Sequence, residues 1–136
     1  MTASELRVGN WVKCKTTDGY KFGKICDILD IGYFAARCDG VEYRGKFGNI
    51  GADIESVEPI ELTRELLLKL DYRTYSKYDD EGIYHHDYLC DLTNEDDGYY
   101  LYDCNECQKV GRKIEGLHHL QNLIFDLQGK ELNIEL

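Results

Sequence analysis

The sequence predicts an α+β chain: a small five-stranded β-barrel-like unit, a short helix, then a second antiparallel sheet covered by a C-terminal amphipathic helix. Three observations carry this expectation. Short apolar runs separated by turn residues fill residues 5–58, the pattern of a small barrel or rolled meander. A second set of short runs, bounded by polar turns ending in glycine, fills residues 72–113. Finally, Leu117, Leu120, Leu123, Ile124 and Leu127 recur at helical spacing and mark one buried stripe. The expected division is residues 1–60 and residues 61–136.

Each element has its own local signal. Leu6, Val8, Trp11, Val12 and Cys14 open the first set, bent at Gly9-Asn10, and Thr16-Thr17-Asp18-Gly19 reads as a turn. Phe22, Ile25 and Ile28 lie on the next run, and residues 33–38 form another. Asp39-Gly40 is a hairpin signal because such a turn needs positive φ. Residues 41–47 return, 48–51 are expected as a loop, and 54–57 close the set. Pro59 suits an extended crossing. Thr63 is placed to cap a short helix through Leu70, with Leu66, Leu67 and Leu70 buried. Asp79-Asp80-Glu81-Gly82 and Asn94-Glu95-Asp96-Asp97-Gly98 are the turns of the second set. Gly129 ends the last helix, and Leu132, Ile134 and Leu136 alternate as a final strand.

Charge narrows the function classes. The net charge is −10, and it is unevenly placed: residues 1–60 hold 8 basic and 9 acidic side chains, residues 61–136 hold 8 and 17. Residues 78–108 contain no Lys or Arg and ten carboxylates. Such a field repels phosphate backbones, so general nucleic-acid binding is not expected. It attracts a basic partner or a cation, though a solvated acidic surface has the same composition. No apolar run is long enough for a membrane span, and the N-terminus lacks the basic-then-apolar pattern of a signal peptide. The six cysteines are therefore expected to stay reduced in a cytoplasm.

The residues at the two ends and in the middle, Glu5-Leu6-Arg7-Val8-Gly9-Asn10, Pro59 through Tyr72, and Leu117 through Leu132, form a recognisable set. The chain resembles a large family of proteins from Bacteroidetes phages, prophages and mobile elements. Those proteins share an E-L-R-x-G-N opening, a P-x-x-L-T-x-x-x-L-x-K-L-G-F-like middle and an H-Q-L-Q-N-L-x-F-x-L-T-G-x-E-L ending. The matches run over residues 5–10, 59–72 and 117–132. Departures are His119 for glutamine, Gln128 for threonine, and Asp71-Tyr72 for glycine-phenylalanine. The resemblance implies a phage or mobile-element origin and brings no catalytic residues with it. It also implies that residues 73–113 vary most, which suits a recognition surface on a shared frame.

No P-loop, dinucleotide fingerprint, nucleophile elbow or metal-hydrolase helix occurs, so no enzyme and no cofactor are expected. Tyrosines 72, 75, 78, 84, 88, 99, 100 and 102 crowd the second half; a flat ring with a polar tip suits protein or planar-ligand recognition, and equally suits a sheet core. The candidate ligand site is Tyr84, Tyr88, Tyr100 and Tyr102 with Arg37, Arg44 and Arg112, the basic residues able to neutralise a phosphate. Cys104 and Cys107 have zinc-ligand spacing, and His118 is a candidate third ligand, with His119, Cys90, His85 or His86 to complete the set. A redox pair and plain free thiols remain open. Cys14, Cys26 and Cys38 read as small core residues.

The expected function is a non-catalytic accessory binding protein, acting in counter-defence inside a bacterial host cell. Its target is a nucleotide-type immune signal or a host protein. The alternative is a small zinc-stabilised adaptor domain built on Cys104 and Cys107. Phe125, off the leucine stripe, is the residue expected to meet its own copy in a homodimer or the tail in a monomer.

Overall fold

The computed structural model describes residues 5–30, 33–46, 54–74, 82–132 and 134–136. The expected loop at 48–51, the turn residues 79–81 and Tyr75 and Tyr78 lie outside the described residues. The chain divides into two units, residues 1–61 with 116–122 and 136, and residues 62–115 with 123–135.

The first unit contains β1 (Trp11–Thr16), β2 (Gly19–Asp30), β3 (Tyr33–Cys38), β4 (Val41–Lys46) and β5 (Ile54–Glu58). β1 to β4 run as an antiparallel meander, and β5 returns antiparallel to β1. Asp39 and Gly40 both take positive φ, 51° and 81°, as a two-residue hairpin between β3 and β4 demands. Two register shifts bend β2, between Ile25 and Asp27 and between Ile28 and Asp30, which curls the sheet round its core. That core is Leu6, Val12, Cys14, Ile25, Phe34, Ala36, Cys38 and Ile54. Gly45 is there by necessity, because a methyl group at that position would fall 2.8 Å from Cε1 of the Phe34 ring.

The expected fold class needs correction. The strand order comes round from β4 to β5, but among the described residues that seam is a single parallel pair, Gly45↔Ile54. The unit is thus a curled five-stranded sheet whose ends meet, not an evenly laced antiparallel barrel. Cys14 and Cys38 are buried in it as expected, whereas Cys26 is half-buried, its thiol 3.8 Å from a Glu42 carboxylate oxygen.

The second unit begins with α1 (Arg64–Lys69), capped by Thr63, whose hydroxyl oxygen accepts from the Leu66 amide at 3.2 Å. A five-stranded antiparallel sheet follows: β6 (Arg73–Thr74), β7 (Ile83–His85), β8 (Leu92–Glu95), β9 (Gly98–Asp103) and β10 (Gln108–Val110). It is a simple meander in which β6 and β10 are the edges. The stretch from Ile83 to Leu92 is not one strand; residues 86–91 leave the sheet as a loop.

α2 (Leu117–Gln128) ends at Gly129, φ 66°. Its buried side is Leu117, His118, Leu120, Gln121 and Ile124, while Leu127 is 60% exposed. The helix is not simply a cover for the second sheet. Its first half belongs to the first unit, where Gln121 Oε1 accepts from the Trp11 amide at 2.8 Å and Nε2 donates to the Gly9 carbonyl at 2.9 Å. Asn122 Oδ1 accepts from Arg7 Nε and Asn10 Nδ2, both at 2.9 Å, and its Nδ2 donates to the Glu5 carbonyl at 2.8 Å. Apolar spacing marked the helix and its buried stripe; two amides reading the backbone of residues 5–11 decide what that first half binds. Leu132, Ile134 and Leu136 form no strand. No helix among the described residues is long and apolar enough to cross a membrane.

Candidate functional site

The loop over residues 86–91 is built by side chains that satisfy its backbone. His86 Nδ1 accepts from the amides of Tyr88 and Leu89, at 3.0 and 3.1 Å. The proton therefore sits on Nε2, which donates to the Leu70 carbonyl at 3.1 Å. Asp91 Oδ1 meets His85 Nδ1 at 2.9 Å and accepts from the His86 amide at 3.3 Å. The Tyr72 hydroxyl donates to the Cys90 carbonyl at 2.8 Å. Gln128 accepts from the Cys90 amide at 3.0 Å and donates to the Tyr88 carbonyl at 3.0 Å, where Lys130 donates as well.

Against this fixed loop lies an open hollow of about 390 Å³. Leu89, Leu101 and Val110 are the apolar residues around it, and Cys90, Asp91, Tyr102, Asp103 and Cys104 complete its border. Leu101 and Val110 sit opposite each other across β9 and β10. Asp103 also shapes the next turn, accepting from the amides of Asn105 and Glu106. The hollow is thus apolar with acid groups on its walls, and preformed by hydrogen bonds.

The Cys90 thiol is not set up for attack. Burial pushes the Cys90 thiol up from its ordinary value, and its sulfur donates to Gln128 Oε1 at 3.1 Å. A protonated, hydrogen-bonded thiol is a poor nucleophile.

The expected site residues are distributed differently. Tyr102 lines the hollow, and Tyr88, 72% exposed, stands in the adjoining loop. Tyr84 is a core residue, its ring edge-on to Tyr99 at 5.7 Å. Burial first, then the Tyr84 hydrogen bond, raises the Tyr99 hydroxyl. Tyr100 is buried; its hydroxyl donates to Asp97 at 2.8 Å and Lys109 lies 4.3 Å from its ring centre. That hydrogen bond holds the Asp97 carboxyl below its ordinary value. Arg37 and Arg44 belong to the first unit, on β3 and β4 beside Glu42; Arg112 is exposed in the bend after β10.

Cys104 and Cys107 are exposed at the ends of the β9–β10 turn, where Cys107 takes φ 53°. His118 is buried in the first unit and the two cysteines belong to the second. Among the described residues no three His, Cys, Asp or Glu side chains gather to hold a metal ion.

Sequence reasoning passed over Asp91, Asp103, Leu89, Leu101 and Val110. The one sequence pointer, and only to the two aspartates, is the long stretch without a basic residue. No protein-family model, curated protein or solved structure matches the chain.

Proposed function

We propose that the chain is a non-catalytic binding protein whose target is a basic segment of another protein. The observation that supports this is the preformed hollow of the second unit, apolar inside and carrying Asp91 and Asp103. An apolar lining with fixed carboxylates suits an aliphatic side chain flanked by lysine or arginine. It does not suit a nucleotide, whose phosphates the field of residues 78–108 would repel. Arg37 and Arg44, which a phosphate would need, sit in the other unit.

The resemblance to phage and mobile-element proteins adds the setting: an accessory factor in a bacterial cytoplasm, acting on a host protein in counter-defence. Two departures from that family's pattern fit it. Tyr72 and Gln128 both hold the backbone at Cys90, so the unusual residues serve the loop that walls the hollow.

Isothermal titration tests the reading with two panels, cyclic and signalling nucleotides, and short peptides alternating arginine with valine. The reading expects peptide binding that weakens as salt rises, and silence from the nucleotides. Nucleotide binding without peptide binding overturns it, and so does silence from both panels.

A further inference from the structure

We propose that the partner docks by adding a strand to β10, so that an extended basic peptide becomes the sixth strand of the second sheet; this rests on the binding role proposed above. β10 is the edge of that sheet, and Gln108, Lys109 and Val110 are all exposed. An edge strand offers amide and carbonyl groups that a second chain can pair with. Such edges are commonly guarded by a lysine reaching into solvent. Here the Lys109 ammonium instead lies 4.3 Å from the centre of the Tyr100 ring, drawn onto the face of the sheet.

The hollow provides what backbone pairing lacks, a choice of side chain. Val110 lies on β10 itself and also lines the hollow, so a strand added beside β10 passes directly along its mouth. Alternate side chains of that strand point to one face, where Val110, Leu101 and Leu89 offer apolar cover. Asp91 and Asp103 border the same space, and Lys109, the basic residue of β10, lies against the Tyr100 ring instead, so on the hollow side the charge complement is a peptide with arginine or lysine beside its apolar anchors. The occupant is therefore an extended, basic, β-branched segment of a protein, and not a helix or a free nucleotide.

The test uses the whole chain and a blocked Arg-Val-Arg-Val-Arg-Val-Arg peptide. Amide hydrogen exchange is followed at residues 108–110 with and without it, and two further peptides carry N-methyl groups on the valines or on the arginines. N-methylation removes donors from one edge of the added strand at a time. Strand addition predicts slowed exchange within 108–110, and loss of affinity by about tenfold or more for one methylated peptide but not the other. If the parent peptide binds while exchange at 108–110 is unchanged, or if the two methylated peptides bind alike, strand addition is wrong and the binding role survives. If the parent peptide does not bind, both fall.

Discussion

Replacing Gln121 by leucine removes the side chain that ties α2 to the start of β1. Gln121 is 2% exposed, and its amide serves the Trp11 N–H and the Gly9 carbonyl at once. Leucine has similar bulk, so packing is roughly kept and hydrogen bonding is what changes. The Trp11 amide bond is fully buried, and an orphaned donor there costs about 1–3 kcal/mol. The Gly9 carbonyl is only partly buried and can turn to water, adding about 0.5–1 kcal/mol. Leucine's better transfer from water offsets about 1 kcal/mol. The expected net loss is about 2 kcal/mol. Trp11 is the only tryptophan and is buried in the same unit, so urea unfolding followed by its fluorescence reads the change locally. A second variant, Gln121→Glu, keeps the acceptor for Trp11 but turns a carboxylate oxygen on the Gly9 carbonyl. It should be destabilised at neutral pH and partly recover below about pH 5, where the protonated acid can donate. A loss under about 0.5 kcal/mol for Gln121→Leu, with an unchanged denaturant slope, refutes the network as a stabilising element.

Other consequences are equally direct. Gly45→Ala drives a methyl into the Phe34 ring, and the first unit should lose about 1–3 kcal/mol by the same fluorescence assay. Thiol labelling should proceed in order of exposure: Cys104 and Cys107 react at once, Cys26 and Cys90 more slowly, and Cys14 and Cys38 only on unfolding, as mass spectrometry of timed samples will show. Burial first, then the neighbouring Cys38, pushes the Cys14 thiol up to about 12 from 9.0, and burial likewise raises Tyr72 and Tyr99. The folded state holds these protons longer than the unfolded chain, so their contribution is complete below the unfolded values and is lost as pH rises from about 9 toward the folded ones. Urea midpoints should therefore fall between pH 8 and pH 10.5, and a Cys14→Ala variant should show a shallower fall in the first unit.

Much of the local structure was legible because it is local. The Asp39-Gly40 hairpin, the Thr63 cap and the Gly129 helix end each depend on one or two residues whose backbone preferences leave little choice. What needs three dimensions was not. Leu127 fits the helical stripe by spacing, yet it is 60% exposed. Gln121 and Asn122 belong to no motif, and only the path of residues 5–11 turns them into anchors of the helix. The tyrosines read alike in sequence, but their surroundings separate them: Tyr84 fills the core, Tyr100 bonds Asp97, and Tyr102 alone of the four candidates borders the hollow. The hollow itself draws ordinary residues from three separate segments, 89–91, 101–104 and 110, none of which carries a motif. Asp103 in particular carries no motif, and its carboxylate also shapes the turn that follows β9.

The central claim is that binding resides in the second unit, at the hollow and the β10 edge. The most direct measurement labels the Arg-Val peptide with a nitroxide at one end and records amide signals of the isotopically labelled chain. The account predicts paramagnetic broadening centred on residues 89–91, 101–104 and 108–110. Broadening centred on residues 33–46, with the hollow silent, would contradict it.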